Sequence, residues 1–570
     1  VITRSVHQGR MKRPFLWVGY LTMLISCLDE VTVSAVIIIK EKKYHGTLSY
    51  GGGKQIIFNM HDDWWTLRDL LKQGEKIDVL ECELNGDSVF LCQCEVDFGS
   101  VFAEFLSTKE ITLSSEISIL DIYIDGLSVA MDNSSRENEI DEKQFVITRP
   151  RSNFLVSLEH ITVSDDWISS LKRNSESTRA YLAVDSHFIR LSFDNNPISI
   201  EGAKNYLMQL LGFFSILLMH PLNISRLKAN LVGKDSYAEI YIPFSVHNNS
   251  FKNESCLLDL KSLSNEQWEL AFKNLFIMNF NSSIWSRFRG MLMYEGYWEY
   301  NILGVVSLLD SYLEEKYGVR NKKSKLIGKL NAALFNLKSV LSSELQEEFD
   351  KEQGNIRIVM NQPSFKVRYM KMVDELSDGF IKWCGLNEQQ FSKIKKVRDS
   401  VAHSDVDEIN NTKDHLVNFT IKNRILILLS YLFFKELGFN ETEYYKLIRG
   451  TVNKVARSAF LDDYYLRKAI GDCFEIKCTN SASDEFSKVR RVSSPIFVFH
   501  GGVWSFDEEA SSRIFEITFE SKCKSIAEAA EIFYSEKGIE VSSSEYKGTV
   551  YLVDDNSHHV TNNATLVYIQ

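Results

Sequence analysis

The feature that most constrains this chain is a change of hydrophobic period near residue 290. Before about residue 250 apolar and polar residues alternate, the period of half-buried strands; after 290 apolar residues recur at three and four, the period of helices. One layer of secondary structure cannot satisfy both patterns, so the 570 residues are expected to divide. For a chain of this length about three or four domains is the expectation.

Strand signals are dense from 44 to 250. GTLSYGGGKQIIFNM reads as two short strands around a glycine turn. In KIDVLECELNGDSVFLCQCEV, Asn85-Gly86 separates two strand-like runs as a tight hairpin turn does. ISILDIYIDGLSV, NFLVSLEHITV, RAYLAVDSHFIRLSF and AEIYIPFSV continue at spacings typical of a sandwich or barrel. Residues 200–220, IEGAKNYLMQLLGFFSILLMH, interrupt them. This segment is apolar nearly all round and is expected to be a buried core helix rather than a membrane span. His45, His61, His160 and His187 are scattered without catalytic spacing and are read as structural.

The later period is helical. In WEYNILGVVSLLDSYLEEKYG, Ile302, Val306, Leu309 and Leu313 form one stripe, ended by Gly318. KLIGKLNAALFNLKSVL repeats it with Leu326, Leu330, Leu334, Leu337 and Leu341. FKVRYMKMVDELSDGFIKW, NEQQFSKIKKVRDSVAH and HLVNFTIKNRILILLSYLFFKELGF follow, and five helices with short connections make a bundle. Beyond 441, ETEYYKLIRGTVNKVARSAFLDDYYLRKAIGD reads as helical and CTNSASDEFSKVRR as a polar linker. PIFVFHG, RIFEITFE, GTVYLV and ATLVYIQ read as strands, with SIAEAAEIFYSEKG a helix among them. The expected fold class is multidomain α+β. It comprises an apolar leader at 1–30, a β-rich N-terminal domain at 31–289, an all-α bundle at 290–440, and a helical linker with a small α+β module at 441–570.

Composition narrows the function classes. The 44% apolar content and 36 Phe are ample for packed cores, and 7 Pro argue against long disordered linkers. A net charge of −11 leaves no global basic footprint, so any nucleic-acid contact must be local. Nine cysteines, including Cys92, Cys94, Cys473 and Cys478, complete no zinc spacing and read as buried reduced thiols. His500, His558 and His559 lack carboxylate or cysteine partners at ligand spacing, so neither a metal nor another cofactor is expected. The start, RMKRPFLWVGYLTMLISC, has a basic segment, a short apolar run and LISC before Cys27, the pattern of a lipoprotein export signal. A lipid anchor through Cys27 therefore stands as the alternative to a cytoplasmic protein without stable membrane association.

KVRDSVAHSD, residues 396–405, ends the fourth helix of the bundle. Arg398 and His403 are five positions apart, about 140° around an unbroken helix. They converge only if the helix ends near Ala402, and the polar HSDVDE that follows offers that end. Phe391, Ile394, Val397 and Val401 would form the buried stripe, leaving Lys395, Arg398 and Asp399 nearer solvent at the lip of the bundle. Taken alone, such a pair is ordinary: an arginine that salt-bridges its helix and a histidine that terminates it. As chemistry, it suits cleavage of RNA. Histidine, with a pKa of about 6.5, can take a proton from the ribose 2′-hydroxyl or give one to the leaving 5′-oxygen. The arginine fork matches two phosphate oxygens. Asp399 would orient either group, and Lys395 and Lys396 would hold flanking phosphates. Two copies across a two-fold axis would supply both acid and base, so a homodimer or higher homo-oligomer is expected.

RDSVAH, an arginine, a polar residue, three more residues and a histidine, resembles the HEPN ribonuclease motif. NILGVVSLLDSYLEEKYG is similar to the first HEPN helix of the ApeA group, with Asp310 where an acidic residue is usual. The β-rich half, with HGTLSY and KQIIF near its start and the apolar helix at 200–220, is similar to the ApeA N-terminal domain. The resemblance covers residues 40–440 and departs from the family at Asp399, where asparagine is commoner. It implies a metal-independent endoribonuclease of bacterial anti-phage defence, with Arg398 and His403 as the catalytic pair. Such an enzyme would sense a phage-derived trigger in the cytosol and cut host RNA, with tRNA a candidate target. Its products would carry 2′,3′-cyclic phosphate ends, and the outcome would be abortive infection. A non-catalytic HEPN module that binds a phage component or a nucleotide is the alternative.

Overall fold

The alternation in the first 250 residues closes into a barrel. A computed structural model describes residues 27–61, 76–97, 99–131, 140–141, 144–145, 153–173, 180–193, 196–234, 236–247, 256–278, 283–318, 325–338, 340–342, 345–346, 349, 363–402, 412–488, 494–554 and 557–569, though not every side chain within them. The chain groups into two units, Val1–Leu211 with Leu222–Ser250 and Gly212–Pro221 with Phe251–Gln570. The border expected at 289/290 thus falls inside the second unit.

The first unit begins with β1 (Val31–Ile39), β2 (Lys42–Gly51), β3 (Lys54–Met60), β4 (Lys76–Leu84), β5 (Asp87–Asp97) and β6 (Ser100–Ser107). Ala35, Ile37 and Ile39 on β1 and Tyr44, Gly46, Leu48 and Tyr50 on β2 are buried, each separated from the next by one residue that is not. The strands run β6-β3-β2-β1-β4-β5, and β5 pairs back onto β6, which closes six strands and leaves no free edge among them. Asn85 and Gly86 take φ of 50° and 94°, the left-handed pair a two-residue hairpin needs, between paired Leu84 and Asp87. Gly46 sits where β2 crosses β3. A Cβ there would lie 2.4 Å from the Asn59 carbonyl oxygen and 2.4 Å from the Phe58 ring.

A second run of strands continues from β6. It uses β7 (Ile117–Ile124), followed by a short helix α1 (Leu127–Met131) and a ribbon of β8 (Ile140–Asp141) and β9 (Gln144–Phe145). Then come β10 (Leu155–Ser157), β11 (Thr162–Arg173), β12 (Ala180–Ser192), β13 (Ile224–Leu231) and β14 (Tyr237–Tyr241), ordered β10-β11-β12-β7-β13-β14-β6. Asp121 and Arg190 face each other in register and pair through two bonds of 2.7 and 2.9 Å. Asp165 is fully buried but accepts from the Asn153 and Phe154 amides and lies 3.4 Å from His187, so its charge is hydrogen-bonded rather than orphaned. Cys27 is buried, with its amide donating to Ser225, and burial pushes its thiol up to about 12. Lipidation there would require that thiol to leave the core. The 200–220 segment forms α2 (Ile200–Leu218), a core helix with Leu207, Leu210, Phe213, Phe214 and Leu217 buried.

The second unit carries α3 (Asn265–Ile277), α4 (Ile284–Leu292), α5 (Trp298–Tyr317), α6 (Lys325–Lys338), α7 (Phe365–Asp374), α8 (Asp378–Cys384), α9 (Glu388–Ala402) and α10 (Thr412–Glu436). The expected stripe of α5, Ile302, Val306, Leu309 and Leu313, is buried. On α6, by contrast, Leu337 of the leucine stripe is exposed. FKVRYMKMVDELSDGFIKW makes two helices rather than one. The Ser377 hydroxyl accepts from the Phe380 amide and caps a new start, and Gly385 at φ 63° ends it. Among the described residues, only His415–Glu436 is long and apolar enough to cross a membrane, and 61% of its apolar stretch is buried in the fold.

The chain continues through α11 (Glu441–Ile448), α12 (Lys454–Ala459) and α13 (Asp463–Ile470) into a five-stranded sheet. Its elements are β15 (Phe474–Lys477), α14 (Asn480–Lys488), β16 (Ile496–His500), β17 (Val503–Asp507), α15 (Glu508–Glu520), α16 (Ile526–Glu536), β18 (Val541–Val553) and β19 (His558–Ile569). Two expectations fail here. The polar linker contains helix α14, and RIFEITFE is helical within α15. Asp507 caps α15 by accepting from Ala510, and Ile514 and Ile517 pack with Ala530 and Phe533, so tertiary packing overrides the strand preference of isoleucine. His558 lies 2.9 Å from Asp462 and stacks on Tyr464.

Gly46→Ala should lower the unfolding free energy by about 1–3 kcal/mol through overpacking against β3, measured by urea denaturation.

Candidate active site

Helix α9 is aimed by its first two turns. Asn387 accepts from the Gln390 amide and caps it. Phe391 packs between Phe365 (5.1 Å between ring centres) and Tyr369 (4.9 Å) of α7, and the Tyr369 hydroxyl donates to the Leu386 carbonyl at 2.5 Å. Lys366 meets Glu388 at 3.1 Å. Contacts that advance along α9 thus retreat along α7, and the two helices are antiparallel.

Helix α7 runs parallel to α5. Arg368 reaches Asp310 at 2.6 Å, and seven residues further on in each helix Glu375 accepts from Tyr317 at 2.8 Å. Helix α10 is also parallel to α5, with Trp298 on His415 (4.4 Å) near their starts and Lys316 by Glu436 (3.5 Å) near their ends. Helix α9, which packs on both α5 and α7, therefore carries its C-terminal turn toward the end of the bundle where α5 and α10 begin.

The residues expected at the site fall as follows. Lys395 and Lys396 are exposed on α9, and Asp399 is half-buried. Arg398 belongs to α9 by its backbone, but its side chain lies outside the described residues, as does all of His403. The described helix extends through Ala402, and the end that convergence of the pair requires lies outside the described residues. Phe391 and Ile394 are buried as expected. Position 398 follows them by seven and four residues along the helix backbone. At 1.5 Å per residue it lies about 10 Å beyond Phe391 along the axis.

Asp310 of α5 has a defined partner. Arg368, 8% exposed at its side chain, bonds to Asp310, 17% exposed, and lies 3.7 Å from Glu314. Sequence reasoning missed Arg368, although a signal existed: FKVRYMKM places an arginine on the face otherwise made by Phe365, Tyr369 and Met372. A cation on an apolar face needs a buried anion, and Asp310 was the candidate.

Also missed was a ladder of rings at the starts of α5 and α10. Trp298 packs edge-on against His415, His415 stacks over Phe419 at 6.5 Å, and Lys422 lies 4.3 Å from the Phe419 ring. Burial of Lys422 holds its ammonium below the usual lysine range. The spacing of 415, 419 and 422 on α10 was legible as one stripe, but only the position of Trp298 shows which element it meets.

Arg368→Ala should destabilise the second unit by about 3 kcal/mol, because Asp310 is left without its main partner; the double exchange of Asp310→Leu with Arg368→Met should lose much less. Chemical denaturation of the three proteins measures both.

Residues 303–443, from within α5 to the first turn of α11, match the family model described as Apea-like HEPN. No curated protein and no solved structure matches the chain.

Proposed function

Taking residues 303–443 as an Apea-like HEPN domain, we propose that the chain is a metal-independent endoribonuclease of bacterial anti-phage defence. HEPN domains are generally ribonucleases, and the family supports a nuclease role in defence at that coarse level. The observation that carries the finer reading is the course of α9. It is anchored at Phe391 and extends through Ala402, so the backbone of residues 398–402 lies on its last turns, which supports a site at that end of the bundle.

In the reaction, the ribose 2′-oxygen attacks the adjacent phosphorus and the bond to the 5′-oxygen breaks. The products are a 2′,3′-cyclic phosphate and a 5′-hydroxyl. His403 takes the 2′-hydroxyl proton or protonates the leaving oxygen. Arg398 holds the non-bridging oxygens as their charge grows. Asp399 orients the pair, and Lys395 and Lys396 hold phosphates on either side. One histidine cannot be acid and base in the same step, so a second copy of the chain completes the site, and the active species is a homodimer or a higher homo-oligomer. The substrate is host RNA in the cytoplasm, tRNA among the candidates, cut after a phage-derived trigger is sensed. Arrest of the infected cell follows.

Purified protein should cut RNA in excess EDTA and leave 2′,3′-cyclic phosphate ends, identified by mass spectrometry of the fragments. Arg398→Ala and His403→Ala should each reduce the rate by at least about 100-fold with an unchanged melting curve. Strict dependence on added metal would sink the mechanism, and phage protection that survives both substitutions would favour a binding module instead.

A further inference from the structure

The last turns of α5, α7 and α10 surround a cavity that the chemistry above does not use. Its volume is about 190 Å³, and it lies where α5 and α10 end, away from the end at which they begin. Tyr312, Met372, Leu376 and Leu432 form its buried wall. Lys316, Lys435, Glu375 and Glu436 stand at its more exposed rim.

The rim is arranged oddly for stability alone. Glu375 caps the end of α7 and Glu436 is the last residue of α10, so both carboxylates sit at helix C-termini, where the backbone dipole disfavours them. Their cations do not close on them. Lys316 stands 3.5 Å from Glu436 and Lys435 3.7 Å from Glu375, beyond ordinary N–H···O hydrogen-bond length, and pairs so exposed add little stability. Neutral donors hold the carboxylates instead. The Tyr317 hydroxyl donates to Glu375 at 2.8 Å and the Trp285 indole N–H donates to Glu436 at 2.9 Å. Burial, with Glu436 beside it, pushes the Tyr312 hydroxyl above the usual tyrosine range, so it too stays neutral. Each carboxylate is thus fixed in place with capacity for a cation, and each lysine stands near with capacity for an anion.

We propose that this cavity binds the zwitterion of a small aliphatic α-amino acid. Its ammonium meets Glu375 and Glu436, its carboxylate meets Lys316 and Lys435, and its side chain lies against Met372, Leu376 and Leu432. Sites for drug-sized ligands run to about 300–1,000 Å³, so this one suits a smaller molecule. Two lysines against two carboxylates give the rim no net charge, which favours neither a lone anion nor a lone cation. A ligand carrying both charges next to each other, with an apolar tail, matches rim and wall together. Bound there, it joins the ends of α5, α7 and α10. Helix α9 packs on α5 and α7, so occupancy of the cavity braces the frame on which α9 lies. Binding of the amino acid does not depend on the ribonuclease reading.

The probe is L-leucine, with isoamylamine and isocaproate as analogues that each lack one of its charges. Full-length protein is labelled with nitrogen-15 at tryptophan, and the Trp285 indole signal is assigned by Trp285→Phe. That signal should move saturably as L-leucine is added, because the indole N–H bonds to a rim carboxylate. Each analogue should bind about 10- to 100-fold more weakly. Lys316→Gln with Lys435→Gln should erase the advantage of leucine over isoamylamine, and Glu375→Gln should shrink its advantage over isocaproate, with unchanged melting curves. A Trp285 signal unmoved by leucine at high millimolar concentration would overturn the site. So would either analogue binding as tightly as leucine, since one charge would then suffice. Leucine affinity that is the same in the lysine and Glu375 variants as in the wild-type protein would overturn it as well.

Discussion

The packing of Phe391 against Phe365 and Tyr369 is the contact on which the site depends. It fixes the register of α9 on α7, and with Ile394 it fixes which face of α9 is buried. Everything beyond Phe391 follows by helical geometry. The Cα of residue 398 comes two turns later on the same stripe, and the described helix continues through Ala402 toward the end of the bundle where Trp298 meets His415. Hydrophobic burial is non-directional, but two aromatic rings gripping a third leave little freedom of rotation or slide. A polar pair can be placed that way without any strong interaction of its own.

Asp310 and Arg368 do a second kind of work. Charges this poorly exposed are costly to desolvate, and the pair gains little net stability over apolar residues of similar size. What it adds is a requirement that α5 and α7 meet in one register, since any slip leaves both charges buried and alone. The Tyr317 hydroxyl on Glu375 repeats the same register seven residues further on in each helix. A catalytic constellation needs such fixed neighbours more than it needs extra stability.

Periodicity was the most legible signal. The Asn85-Gly86 hairpin, the glycine turn between β2 and β3, the buried helix at 200–220 and the α5 stripe were all readable from spacing and turn chemistry. Closure of the barrel was not, because pairing of β5 with β6 is a long-range choice that alternation alone does not specify. The failures share a cause. Ser377 breaks a helix by capping a new one, and Asp507 starts a helix in β-branched sequence; in both cases a single side chain accepting from a backbone amide outweighs the local pattern. Asp310, Lys395, Lys396 and Asp399 were named from motif and resemblance. Arg368, Trp298 and His415 were not, because their meaning lies in which helix ends lie together. Phe391 and Ile394, read from spacing as part of the buried stripe of α9, are buried.

The proposed ribonuclease activity requires His403 of RDSVAH to meet RNA. The most direct test is selective nitrogen-15 labelling of the imidazoles, with His403 and His415 assigned by substitution and spectra followed as 2′-O-methyl oligouridine is added. The ring signals of His403 and His415 should move together with saturation while those of His61 and His558 stay fixed. Saturation with no change at His403 would contradict it.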